Sequence, residues 1–308
     1  MDARRTMLKV AGAACAAVSL VGTQETRAVE YGVGEYFLGL EIPMSGYIPP
    51  PGVFFKDSYY LYHGTSPGLN VQFVFNIAQA GYFISTDLFG GATVGIFATV
   101  PYVGVENSIP VSFRDSSGLT ETSRLNAGIS SIGDSDYSAV MGWHEGDNNW
   151  LVALTAFTPT GNYNQNRFVQ TGLNRPGIDI KGGYTFLSLR TGMEVSAALG
   201  MTFNALNTFT NYQSGTELHF EWALNQHFPV GLAVGVGGYF YQQVTNDYGL
   251  GDTVGPNKGR VASVGPLLSY TLKVGDQEVN LSGRFFHEFA VQNKTRGDAI
   301  YTTLSFRL

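Results

Sequence analysis

The sequence predicts an all-β chain, a transmembrane antiparallel up-and-down β-barrel of about twelve strands. Three observations carry that reading. In Met193-Glu194-Val195-Ser196-Ala197-Ala198-Leu199-Gly200-Met201-Thr202-Phe203-Asn204, every odd position is apolar and every even one is polar or small. A period of two marks a strand with two unlike faces. In residues 216–225, Leu218, Phe220, Trp222 and Leu224 point one way and Glu217, His219, Glu221 and Asn225 the other. So charged a face cannot be a protein core, and the large aromatics opposite suit lipid, so the polar face lines a lumen. Third, short and long connections alternate, as periplasmic turns and outer loops do in such barrels. A soluble sandwich has no reason to sort its loops this way.

Composition and the chain ends agree with this. Glycine (39), phenylalanine (21) and tyrosine (17) are abundant and charged residues make up only 14%, which suits strands and aromatic girdles. Mean hydropathy is close to zero; a barrel hides its apolar signal by alternating it. Residues 1–28 read as a signal peptide. Arg4, Arg5 and Lys9 precede the apolar run 10–21, and Thr26-Arg27-Ala28 offers small residues around a cleavage point. The run is too short to span a membrane as a helix. Arg4-Arg5 also resembles a twin-arginine export signal, a route for folded proteins and so at odds with a barrel; either the match is fortuitous or translation begins at Met7, which removes both arginines. Cys15 lies in this segment, so the mature chain has no cysteine and no thiol or disulfide chemistry. Residues 1–28 hold four cations and two anions, so their removal takes the formal charge from −6 to −8. An acidic balance without a basic block argues against nucleic acid as partner.

Residues 29–52 are rich in glycine and proline and end in Pro49-Pro50-Pro51-Gly52. Proline donates nothing to a ladder, so this is no central strand. It is either a periplasmic lead-in or a piece tucked into the lumen as a constriction. The barrel occupies 53–308. Strands are predicted at 53–63, 69–87, 91–113, 134–144, 148–158, 178–189, 192–204, 216–225, 229–244, 259–273, 278–291 and 297–308. The tight turns are Leu88-Phe89-Gly90, Glu145-Gly146-Asp147, Arg190-Thr191, Gln226-His227-Phe228 and Val274-Gly275-Asp276-Gln277. The longer polar connections are 114–133, 159–177, 205–215 and 245–258, while 64–68 and 292–296 barely exceed the turns. An even count puts both ends of the barrel on the periplasmic side. The last strand carries Leu304, Phe306 and Leu308 on one face and resembles the C-terminal signal read by the barrel-assembly machinery, with Leu308 where an aromatic residue is usual.

An ordered set of motifs spans most of the mature chain. It comprises Pro49-Pro50-Pro51-Gly52, Gly133-Asp134, Gly142-Trp143, Pro159-Thr160-Gly161-Asn162-Tyr163 and Gly172-Leu173-Asn174-Arg175-Pro176. Beyond these come Asn204, Asn207 and Thr210-Asn211-Tyr212-Gln213-Ser214-Gly215, then Gly238-Tyr239-Phe240-Tyr241-Gln242-Gln243 with Asp247, and Gly259-Arg260 with Gly265-Pro266. Together they resemble the transporter-like family labelled MetA-pathway of phenol degradation, outer-membrane β-barrels. That resemblance implies uptake of small aromatic or otherwise hydrophobic compounds across the outer membrane of a Gram-negative bacterium.

Strand geometry nominates the lumen residues. Glu217, His219 and Glu221 form an inward column about 13 Å long by strand rise. The outer two are too far apart to share an ion, and no further ligand pattern appears, so no metal or cofactor is expected. Gly231, Ala233, Gly235 and Gly237 face inward on the following strand and predict open space beside this column, with Tyr239 and Tyr241 above it to stack on an aromatic solute or fill a closed lumen. Arg284 and Glu288 share an inward face and Arg307 lies inward on the final strand; the cations can face Glu217, Glu221 or Asp136 across the closed barrel, as a transverse field or gate or as a plain salt-bridge network. Asp136, Ser138 and His144 share an inward face, which raises a lipid hydrolase as alternative. Ser138 and His144 stand six residues apart on one strand, about 20 Å, beyond the reach of a nucleophile and its base. The expected function is therefore passive uptake of a small hydrophobic or aromatic solute by a porin-like barrel in contact with outer-membrane lipid. A lipid hydrolase and a structural barrel with a closed lumen are the alternatives.

Overall fold

The computed structural model describes residues 28–66, 69–86, 88–114, 120–167, 169–252 and 257–308. The predicted signal peptide, Ala28 excepted, lies outside the described residues. Thirteen strands follow one another: β1 Gly52–Ser66, β2 Leu69–Ser85, β3 Thr93–Arg114, β4 Thr120–Ile132, β5 Ser135–Glu145, β6 Asn148–Thr158, β7 Gly177–Leu187, β8 Met193–Asn204, β9 Glu217–His227, β10 Leu232–Gln243, β11 Arg260–Val274, β12 Gln277–Gln292 and β13 Arg296–Arg307. All neighbours are antiparallel. β1 pairs with both β2 and β13, from Phe54 opposite Arg307 to Thr65 opposite Arg296. That seam closes twelve strands, all but β4, into a barrel. Closure leaves these twelve strands without an edge, the condition for strands to cross a membrane, while β4 pairs with β3 alone.

The expected twelve barrel strands are all present. In place of the loop expected at 114–133 the chain forms β4, paired with β3 from Tyr102–Ile132 to Arg114–Thr120. β3 has 22 residues, about 70 Å by strand rise, while 9–11 suffice to span a bilayer. Its lower part pairs with β5 only from Thr93–Gly142 to Thr99–Asp136. β4 and β5 are thus upper and lower halves of one descending leg, jointed at Gly133-Asp134. The β3–β4 hairpin stands above the spanning part of the wall.

Side chains sort as the period of two requires. On β8, Leu199 and Phe203 are exposed while Glu194, Ser196 and Thr202 are buried. On β7, Ile178 and Ile180 are exposed and Asp179 is buried. An exterior of exposed apolar residues around a closed barrel is a surface for acyl chains.

The interior is not a water-filled tube. Residues 28–51 run through the lumen, from the end that carries the long connections to the short-turn end where β1 starts. Leu40 and Ile42 pack with Ile77, Tyr239, Phe286 and Tyr301, and Ile48 sits among Phe83, Val140 and Ala153. Of the two options for 29–52, the constriction is the one present. The open space expected beside the acidic column is taken up: Asn225 lies over Gly235 and Leu267 over Gly237, while Tyr36 and Gly39 of the segment bond Glu221 itself. Glycines make room: a Cβ on Gly183 would run into the Ser45 carbonyl, so its absence lets the segment lie flat against β7.

Candidate functional site in the lumen

Because the segment excludes water, the polar groups lining the wall must find partners on it or on each other. Glu221 takes the Gly39 amide at 2.5 Å and the Tyr36 hydroxyl at 2.9 Å. The Tyr36 ring stacks on His219 at 3.7 Å between centroids, and His219 Nε2 donates to Asp179 at 2.8 Å. Lower down, Glu194 accepts from the Met44 amide and Thr185 Oγ1 from the Gly46 amide. At the upper end Arg175, fully buried, forms ion pairs with Glu30 at 3.6 Å and Glu35 at 3.4 Å. Burial raises the Glu30 carboxyl above its ordinary value, opposed by hydrogen bonds from Thr210 and Asn207 and by the Arg175 charge.

The structure locates every residue that the alternation nominated. Glu217, His219 and Glu221 are buried in a column on the inner face of β9, and Glu217 accepts from Asn204 Nδ2 at 2.7 Å. Tyr239 is buried against Phe286 and gives its hydroxyl to Glu288, as Tyr62 does from β1. Tyr241 carries the Lys294 ammonium over its ring at 4.3 Å. Both tyrosines are occupied by protein. Arg284 faces no carboxylate within ion-pair distance among the described residues: its Nη1 donates to the carbonyls of Gly39, Leu40 and Ile42, and its Nη2 to Thr303. Arg307 is exposed at the lower rim, its aliphatic stem beside Gly52. His144 is exposed at that same rim, beside Tyr47 and bonded to Asn149. Ser138 bonds Thr155, so these two do not meet. Among the described residues no cluster of three or more His, Cys, Asp or Glu stands in an arrangement able to hold a metal.

Asp136 is the nominated residue that faces empty space. It lines a cavity of about 320 Å³ under the outer loops. Phe73 and Phe75 of β2, Val103 and Val105 of β3, Phe157 of β6 and Val169 make its apolar wall, and Phe37 of the lumen segment makes its floor. Its polar lining is rich in acceptors: Asp134, Asp136 and Glu35, with an Asn107 carbonyl oxygen that is buried without a hydrogen-bond partner. Arg167 lines the same cavity, its Nη1 committed to Asn162. The cavity lies where the β3–β5 ladder ends at Thr99–Asp136.

Sequence reasoning missed Arg175, Glu30, Glu35 and Tyr36. They sit in a loop and in a segment without periodicity, so no pattern exposes them. Asp179 and Glu194 carried the same alternation signal as Glu217 and were legible.

Glu221→Gln tests the faces. It keeps one acceptor and loses charge, so it weakens docking of the segment by about 1.5–3 kcal/mol while the barrel still assembles. Unchanged heat-modifiable gel mobility with faster chymotrypsin cleavage at Tyr36 or Phe37 is the expected result.

The sequence profile of the family described as "Putative MetA-pathway of phenol degradation" matches residues 52–304. Among solved structures, the COG4313 outer membrane channel from Pseudomonas putida F1 is similar with a TM-score of 0.63 and 13% identity, over 86% of this chain and 98% of that one. The transport unit of the autotransporter AIDA-I from Escherichia coli is a looser likeness, at TM-score 0.44 and 11% identity over 83% of this chain and 89% of that one. So is the β domain of the Bordetella autotransporter Brka, at 0.45 and 7% over 84% of this chain and 99% of that one. No curated protein sequence matches. The fold is that of a Gram-negative outer-membrane β-barrel.

Proposed function

We propose that this chain, which belongs to the MetA-pathway of phenol degradation family, is an outer-membrane channel for passive uptake of small hydrophobic or aromatic solutes. The observation that carries the reading is the apolar cavity at the end of the β3–β5 ladder. A solute entering between the outer loops reaches this cavity before it meets the lumen segment. Straight passage is filled by residues 28–51, so the solute leaves sideways, above the Ser135–Thr158 end of the β5–β6 ladder, where β4 pairs with β3 alone. The acceptor-rich lining favours an uncharged body carrying a hydrogen-bond donor. A carboxylate of the same size would place its charge beside Asp134, Asp136 and Glu35 and is disfavoured.

Flux into liposomes loaded with the purified barrel tests this. A neutral aromatic alcohol is expected to enter faster than the matching carboxylate. Val103→Trp, which fills the cavity from a buried wall position, is expected to bring flux down to the rate of empty liposomes while the folded band persists. The filled lumen favours a second reading, a structural barrel; flux by the unaltered protein no higher than in empty liposomes would support it and end the first.

A further inference from the structure

The lumen segment starts at the outer mouth, and its first contacts bear on where the mature chain begins. The Val29 nitrogen lies 2.8 Å from Asp247 Oδ2, with Val29 1% and Asp247 5% exposed. That carboxylate also accepts from the Tyr212 hydroxyl, the Gly215 amide and Gln243 Nε2. Among the described residues no lysine, arginine or histidine lies within ion-pair distance of it; Lys294, bonded to the Gly32 carbonyl, acts on it only at longer range, so the direct donors to this buried carboxylate are all neutral, a costly arrangement.

The second observation is conformational. Val29 has φ 67°, a left-handed value that is a genuine outlier for a β-branched residue, because the preceding carbonyl crowds its side chain. Without residue 28 there is no preceding carbonyl, and the outlier vanishes. The third lies in the sequence: Thr26-Arg27-Ala28 supplies the small residues around a signal-peptide cleavage point.

We infer that the peptide bond between Ala28 and Val29 is the processing site, and that the α-ammonium released there is the cation that completes the Asp247 site and anchors the segment at the outer mouth. The step is hydrolysis by the export signal peptidase. Water's hydroxyl goes to the Ala28 carbonyl carbon, the C–N bond breaks, and the Val29 nitrogen leaves as an amine that is protonated at neutral pH. Cleavage gives up one hydrogen bond, from the Ala28 amide to the Asn293 carbonyl at 3.0 Å, and gains an ion pair. The inference stands whether or not the barrel conducts.

Two measurements on the full-length protein purified from outer membranes test it. N-terminal sequencing with intact mass is expected to give a chain starting at Val29; any other start overturns the processing site. Acetylation of the folded protein in detergent then reads the anchor. An ion pair that raises the amine's pKa by about one unit cuts the free base, and so the labelling rate, about tenfold relative to the same chain unfolded. Asp247→Asn is expected to keep Val29 as first residue and abolish that protection. Val29 acetylated as fast in the folded as in the unfolded wild type overturns the anchor, even should Asp247→Asn fail to fold; equal protection in a folded Asp247→Asn overturns it too.

Discussion

Replacing Arg284 with methionine is expected to release the lumen segment without dismantling the barrel. Arg284 is 5% exposed and its Nη1 reaches three carbonyls of the segment, Leu40 at 2.7 Å, Ile42 at 2.5 Å and Gly39 at 3.2 Å. It also lies over the Tyr301 ring, 5.0 Å from the centroid. Methionine conserves much of the volume and adapts to its surroundings, but donates nothing. Each carbonyl left buried without a donor costs about 1–3 kcal/mol, and only undocking returns them to water. The β12 ladder to β11 and β13 is main-chain bonding and does not need the guanidinium. The expected signature is chymotrypsin cleavage at Tyr36, Phe37 or Leu38, with the heat-modifiable band retained. A variant as protease-resistant as the parent would show that Arg284 does not hold the segment.

Trp222→Arg is expected to do the reverse and prevent assembly. Trp222 sits on the outer face of β9 between Phe220 and Leu224, and Leu224 is 47% exposed. An arginine on the lipid face near the midplane costs about 2–4 kcal/mol, a sizeable share of the ~5–15 kcal/mol by which folded proteins are stable. Loss of the heat-modifiable band is the expected reading. Its neighbour in the sequence, Glu221, faces the other way, and the contrast between the two substitutions isolates the orientation of one strand.

What the sequence made legible follows from range. Facing on β7 to β13 depends on residues two apart, so Leu199 against Glu194 or Trp222 against Glu221 was readable without coordinates. The β4 strand was not: Thr120-Glu121-Thr122-Ser123-Arg124 has no lipid-facing alternation, because it stands above the membrane and is held by its ladder to β3. The lumen segment was undecidable for another reason. Its partners are remote, with Arg284 and Leu40 244 positions apart, and its glycines and prolines carry no period. For Tyr239 alternation leaves a stacking platform and a filler both open; Gly39 and Phe286 beside it make it a filler, and only folding brings these together. Alternation marks Asp136 as lumen-facing, whereas its cavity is made by Phe37, Phe75, Val103, Phe157 and Val169 from remote parts of the chain, which no local pattern records.

Residues 28–51 fill the lumen of a membrane-spanning barrel. Single-channel conductance in a planar bilayer, comparing the intact chain with one lacking residues 29–46, tests it most directly. The expected result is a small or absent conductance for the intact chain and one several-fold larger after the deletion, with the heat-modifiable band present in both. Equal conductances from two folded barrels would contradict it.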